Sequence, residues 1–185
     1  MLEVQLNANI SMRLIERRHA TALFEFVEAG REDLQPWIPF VSKTKTPEDA
    51  LTYVLRFLDM YKEGKGYVYG LWDGGKMVGL VLIKDIDEAA RHAEIGYMIA
   101  SAYRGKGLAA AACVHLINFI FDNLGFQKVV LCCDDRNEAS IAIARRFGFV
   151  LEGVLKRQVV INGELCNTMH WALFQPQSTC LPKKI

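Results

Sequence analysis

The stretch from Glu94 to Leu124 changes character twice, and it constrains the fold more than any other. Glu94-Ile95-Gly96-Tyr97-Met98-Ile99 has the apolar, β-branched and aromatic content of a strand. Arg104-Gly105-Lys106-Gly107 breaks that pattern, and the alanine-rich run from Ala109 to Leu124 has helix composition. The unit therefore reads as strand, glycine loop, helix. At the start of such a helix several backbone N–H groups lack intrahelical partners, and the macrodipole adds partial positive charge there. A phosphate group fits at that point without needing any particular side chain. Gly105 and Gly107 have no Cβ, so a bulky anion can come close to the main chain. The loop is a candidate ligand cradle.

The flanks decide what surrounds it. Ser11 to Ile15 alternates as a short strand, and Ala20 to Ala29 carries Leu23, Phe24 and Val27 at helical spacing before Gly30. Leu34-Gln35-Pro36-Trp37-Ile38-Pro39-Phe40 has two prolines that forbid one regular helix, yet it is rich in large apolar groups, so it packs on the core or lines a cleft. Thr46-Pro47-Glu48-Asp49 is a helix start, with a hydroxyl cap, proline at the first position and acids in the first turn, and Gly64 is its stop. Tyr67 to Trp72 and Met77 to Lys84 flank Asp73-Gly74-Gly75-Lys76 as a hairpin, and Ala93 to Ile99 continues the meander. Beyond the cradle follow a strand from Lys128 to Cys133, a helix from Glu138 to Phe147, and strands from Val150 to Val160 and Leu165 to Leu173 around Asn162-Gly163. The expected class is α+β: a mainly antiparallel sheet with a parallel crossover in the middle and helices packed on it.

The chain has 185 residues, 51% of them apolar and 23% charged, which suits one globular domain, taken as 1–175 with a loosely held tail at 176–185. A formal net charge of +1 argues against nucleic-acid binding through a broad basic surface. The start of the chain lacks a basic, then apolar, leader, and the most apolar run, Leu108 to Phe121, falls short of the ~20 residues that span a bilayer. No membrane partner is expected. Cys113, Cys132, Cys133, Cys166 and Cys180 are odd in number without C-x-x-C spacing, and read as reduced thiols of a cytoplasmic protein. The four histidines form no metal-ligand spacing, so no metal is expected.

Three readings of the loop compete. Two glycines can simply make a tight turn into a core helix. Gly105-x-Gly107-x-x-Ala110 also matches a dinucleotide fingerprint, but there the glycines sit directly at the strand end within a run of βαβ units. Here Ala100 to Arg104 intervene and antiparallel hairpins flank the unit. In the third reading, Arg104-x-x-Gly107-x-Ala109 resembles the acetyl-CoA loop of the GNAT acetyltransferase superfamily. Glu94-Ile95-Gly96-Tyr97, Asn137-x-x-Ser140, Arg146-Phe147-Gly148-Phe149, Leu151-Glu152-Gly153 and Leu34-x-Pro36-Trp37-x-Pro39 resemble its RimJ/RimL-type branch, which acetylates the N-termini of ribosomal proteins. The likeness runs from about Met12 to Phe174.

The resemblance implies a mixed sheet of about seven strands with helices on both faces, whose two central strands splay to hold coenzyme A. Arg104, Gly105, Lys106, Gly107, Leu108 and Ala109 would hold the pyrophosphate, and Tyr97, Met98 and Ile99 the pantetheine arm, with Met98 and Ile99 giving main-chain bonds. Asn137 would touch the same arm, although it also reads as a helix N-cap. Acetyl transfer needs a neutral amine, a stabilised oxyanion and a protonated leaving thiolate. Glu94 would take the amine proton or form a structural ion pair; Ser140 would protonate the thiolate, with Cys133 as a second donor. Asp134 and Asp135 are reserve bases. Some relatives instead carry an acid in the strand after Lys156, where this chain reads Gln158-Val159-Val160. The family reading is a homodimeric N-acetyltransferase working by direct attack, with a protein N-terminus as acceptor. Its rivals are a small-molecule amine acetyltransferase acting on a polyamine, amino sugar or antibiotic, and a non-catalytic CoA-binding module.

Overall fold

The computed structural model describes residues 3–175, and the expected tail at 176–185 lies outside them. Eight strands form one sheet in the order β1-β2-β3-β4-β5-β6-β8-β7: β1 (Glu3–Gln5), β2 (Ile10–Leu14), β3 (Tyr67–Asp73), β4 (Lys76–Asp87), β5 (His92–Ile99), β6 (Lys128–Asp134), β7 (Val150–Ile161) and β8 (Glu164–Phe174). Every neighbouring pair is antiparallel except β5 and β6. The strand beyond the expected seven is β1, an edge piece of three residues too short to show a period.

Helices cover both faces. On one side α1 (Ala20–Ala29), α2 (Arg31–Leu34), α3 (Pro39–Lys43) and α4 (Pro47–Lys62) bury Leu23, Val27, Val41 and Val54 against Val68, Trp72, Leu80 and Met98. On the other, α5 (Leu108–Asn118) and α6 (Glu138–Arg146) bury Leu116, Ile141 and Ala144 against Leu71, Val81, Ile95, Leu131 and Trp171. Burying a Leu or Ile side chain removes about 1.5–3 kcal/mol worth of apolar surface from water, so these two layers carry the fold.

Local chemistry sets the boundaries. Thr46 caps α4, its hydroxyl accepting from Asp49 N at 3.2 Å while Asp49 Oδ2 accepts from Thr46 N at 2.9 Å. The two prolines split the segment before it into α2 and α3, with Pro39 in the first turn of α3. The helix expected to run to Leu124 widens at Phe119–Asn123 into a π-type turn and ends at Gly125, φ +65°. Asn162 (φ +51°) and Gly163 (φ +84°) make the β7–β8 turn, both left-handed as a two-residue hairpin of this hand requires.

Candidate active site

The parallel pairing of β5 with β6 runs from His92↔Lys128 to Ile95↔Leu131 and stops. β5 goes on pairing with β4 to Gly79↔Ile99, and β6 with β8 to Asp134↔Thr168. Gly96–Ile99 and Cys132–Asp134 therefore diverge around a gap, as the splayed-strand expectation required. Main-chain direction in the gap follows from the ladder. Ala100 N donates to Val78 O at 2.9 Å, so Met98, two residues back, also turns its amide and carbonyl toward β4. Tyr97 and Ile99 then face the gap, and Arg104 Nε donates to Ile99 O from that side at 3.1 Å.

The cradle closes the open end. Tyr103 Oη donates to Asp73 Oδ2 at 2.7 Å, Lys106 Nζ lies 5.4 Å from the Tyr103 ring centroid, and Arg104 Nη1 lies 3.9 Å from Asp33. Gly105 (φ +73°) and Gly107 (φ +75°) are left-handed, a conformation that costs other residues roughly 1–2 kcal/mol. No side chain caps α5; Ala111 N, bonded to Gly107 O at 2.9 Å, begins its ladder, which leaves the amides of Leu108, Ala109 and Ala110 as donors. Leu108 is buried and pins the helix start to the core, while Lys106 and Gly107 are exposed.

On the α5 side of the gap stand uncharged donors. The Tyr97 hydroxyl is buried without a hydrogen-bond partner, the Ser140 hydroxyl beside it. Burial holds the Tyr97 phenol above its usual range, and it pushes the Cys133 thiol up to about 11 and Cys113 to about 12. Trp171 Nε1, next to Cys133, is also buried and unpartnered. Asn137 Oδ1 accepts from Ser140 N at 3.1 Å, capping α6, so the expected cap is present and its NH2 group remains for a ligand. Orphaned buried donors, open helix amides and strand edges facing a gap fit a ligand with an anionic end and an amide-bearing arm.

The carboxylates are more constrained. Glu94, its side chain 15% exposed, accepts from Lys84 Nζ at 2.9 Å, so its ion-pair reading has a partner. Burial works against the Lys84 charge, but Glu94 and Asp85, 2.7 Å away, hold its pKa above the usual range. The Arg136 guanidinium grips Asp134 at 2.8 Å through both oxygens and holds its carboxyl below the usual range; this reserve base is a structural anchor. Asp135 Oδ2 accepts from Asn167 Nδ2 at 2.7 Å. Asp85 and Asp87 close β4, Asp87 pairing with His92 at the start of β5, and Glu88 follows in the turn, at the end of β5 opposite the gap.

Two residues the sequence did not single out lie close by. Cys132 and His170 are paired across β6 and β8, with Sγ 3.4 Å from Nδ1. They are far apart along the chain, and only the strand order reveals the pair. Trp37 is half-exposed and belongs to neither core, and its neighbour Gln35 takes a hydrogen bond at 3.2 Å from Asn162 in the β7–β8 turn. The α2–α3 connection thus reaches across to β7 and β8.

A splayed parallel pair with an uncapped helix behind a glycine loop defines an acyl-CoA-binding acetyltransferase architecture. The comparisons agree: the chain matches the acetyltransferase (GNAT) domain family over residues 9–150, and it belongs to that family. It is 31% identical over 179 residues, 95% of this chain and 96% of the relative, to YdaF of Bacillus subtilis, provisionally named a ribosomal N-acetyltransferase. It is 37% identical to the spermidine N(1)-acetyltransferase of Escherichia coli over 103 residues, 56% of this chain and 55% of that enzyme. RimL, a ribosomal L7/L12 N-terminal acetyltransferase solved with coenzyme A in disulfide linkage to one of its cysteines, superposes with a TM-score of 0.88 at 22% identity, covering 93% of this chain and 97% of RimL. The protein is thus an acetyl-CoA N-acetyltransferase of GNAT type.

Proposed function

We propose that the chain acetylates the N-terminal amine of a protein, a ribosomal protein by preference, in a ternary complex without an acetyl-enzyme. Leu108–Ala110 amides and Lys106 bind the pyrophosphate, with Arg104 over the gap. Tyr97 and Ile99, rather than Met98, give the arm its main-chain bonds, and the Asn137 NH2 group a further one. Ser140 hands its proton to the leaving sulfur, backed by the Tyr97 hydroxyl that burial keeps protonated; Cys133 is the reserve donor.

The charge distribution supports a protein acceptor over a polyamine. Glu94 and Asp134, beside the gap, are each neutralised by a cation, Lys84 and Arg136, and Asp135 next to them accepts from Asn167 with Lys156 Nζ 3.9 Å away. A polyamine needs uncompensated carboxylates for its other ammonium groups. Likeness to YdaF over nearly the whole of both chains points the same way. The spermidine enzyme is the specific rival. Initial rates with acetyl-CoA and a panel of N-terminal peptides and polyamines decide it: peptides should exceed spermidine in kcat/KM by at least tenfold, and the reverse order would overturn the acceptor. A stable acetyl-enzyme after acid quench would overturn direct transfer.

The function is assigned to the cytoplasm, and among the described residues no helix is long and apolar enough to cross a membrane. A homodimer is part of the proposal, with the exposed Leu155, Val160 and Leu165 of the β7–β8 hairpin as its apolar contact. Sedimentation at the monomer mass would remove it.

A further inference from the structure

β4 carries one residue more than its partner can pair. Lys84 lies opposite Glu94 and Asp87 opposite His92, so three steps along β4 match two along β5. The extra residue changes which side chains share a face. In a regular strand Ile83 and Ile86 would point to opposite faces, yet both pack on the α5-side core. The bulge falls between them, at Asp85, whose φ is +48°. Neighbours in a strand normally point apart, but here the Asp85 carboxylate turns back onto the Lys84 ammonium at 2.7 Å. Aspartate is one of the few residues besides glycine that adopt this conformation readily, and a left-handed residue inside a strand calls for a role.

The contacts supply it. Lys84 Nζ also lies 2.9 Å from Glu94 Oε1, so two carboxylates share one ammonium. Burial works against that ammonium, and the two carboxylates together keep it protonated. Glu94 is the inner partner, its side chain 15% exposed against 68% for Asp85. It also sits where the gap begins. Its parallel partner is Val130, and the next pair, Ile95↔Leu131, is the last. The following residue on its own face is Gly96, which puts no side chain between the carboxylate and the gap. The core that α1–α4 make on that face takes Met98 from β5 but no buried residue from β6, β7 or β8 among the described residues. Glu94 therefore stands at the border between covered and open sheet.

An ammonium divided between two carboxylates offsets each only in part, whereas one held by Glu94 alone would offset it more fully and make it a poorer proton acceptor. We propose that Asp85 is a positioning residue for acetyl transfer: by drawing Lys84 to itself across the bulge, it keeps the Glu94 carboxylate free to take the proton of the acceptor amine. The proposal rests on the acetyltransferase reading, in which the family resemblance offers Glu94 as the base. In the step, the neutral amine nitrogen bonds to the acetyl carbon as the C–S bond breaks. The proton that the nitrogen sheds passes to Glu94, and the sulfur takes the Ser140 proton. Glu94 then gives its proton to solvent, and Ser140 regains one from it. The cluster has room for that single proton and not for the several ammonium groups of a polyamine.

A double-mutant cycle tests this, with kcat and the KM of an N-terminal peptide measured at pH 7 for each variant. Asp85→Asn suits it because asparagine also takes the left-handed conformation, so the charge goes and the bulge stays. It should lower kcat about fivefold, with the peptide KM and the Kd for acetyl-CoA within about twofold. Lys84→Met should act in the opposite direction and raise kcat about threefold. In that background Asp85→Asn should change kcat by less than about 1.5-fold, because Asp85 acts only through Lys84. Lys84→Gln gives a second background with a polar side chain. Glu94→Gln should lower kcat roughly 100-fold. No loss from Asp85→Asn, an equal loss in all backgrounds, or a lower kcat in both Lys84 variants overturns the role of Asp85. Glu94→Gln with wild-type kcat overturns the base that Asp85 is said to serve. Wild-type protein that binds acetyl-CoA but acetylates no amine overturns the acetyltransferase reading, and the role of Asp85 with it.

Discussion

The two sides of the gap are built in opposite ways. The donor side is nearly continuous in sequence: β5, the loop at Arg104 to Gly107 and the start of α5 lie within one stretch, and their chemistry is main-chain chemistry. In the proposed function the acceptor side is assembled from separate strands and the α2–α3 connection, and its chemistry depends on which side chains the strand order brings together. A backbone site tolerates any side chain that leaves φ/ψ and amides in place, whereas a side-chain site fails with one substitution. Donor-side changes should therefore act on acetyl-CoA alone, and acceptor-side changes on the amine.

The sharpest way to break this division is Ser140→Ala, at the boundary. It should lower kcat by about 100-fold or more with the KM for both substrates within a few-fold, because proton donation is felt only in the transition state. Gly107→Val, a β-branched residue at φ +75°, should raise the KM for acetyl-CoA by roughly 10–100-fold and leave the amine KM unchanged. Nothing lies within 4 Å of the Cβ that would be added at Gly107, so the effect belongs to the backbone and the ligand, not to a clash. Trp37→Ala should do the converse and raise only the acceptor KM, by about tenfold, if the α2–α3 connection covers the amine. Equal shifts in both constants for either variant would dissolve the distinction.

Asp134→Asn sharpens the comparison from the stability side. Arg136 depresses the native carboxyl below its unfolded value, so the contribution is present above the ordinary carboxylate range and is lost as pH falls through the native value. The variant should be less stable by about 1–3 kcal/mol at pH 7 by urea unfolding, with the difference shrinking as pH falls below the ordinary carboxylate range. The smallest effect expected is Thr46→Ala, about 1 kcal/mol from the α4 cap, with both KM values unchanged because that cap serves neither side.

The same division explains what the sequence disclosed. Strand-loop-helix, the caps at Thr46 and Asn137 and the Asn162-Gly163 turn are local and were legible residue by residue. The parallel crossover followed from the single helix between β5 and β6, although helices between strands do not by themselves require one, since α1–α4 join the antiparallel pair β2 and β3. The Met98 assignment missed the side each peptide faces, which depends on the register of β4 against β5. Asp134 read as a possible base because its partner Arg136 could equally have pointed to solvent. Cys132 and His170 carried no signal, because their meeting depends on β8 inserting between β6 and β7.

Amide hydrogen exchange with and without coenzyme A tests the central claim most directly, because it reads the gap amide by amide. At saturating ligand the amides of Tyr97, Ile99 and Leu108 to Ala110 should exchange at least tenfold more slowly, while Met98, already bonded to β4, should not change. New protection at Met98 with none at Tyr97 and Ile99, or protection confined to β6, β7 and β8, would contradict the account.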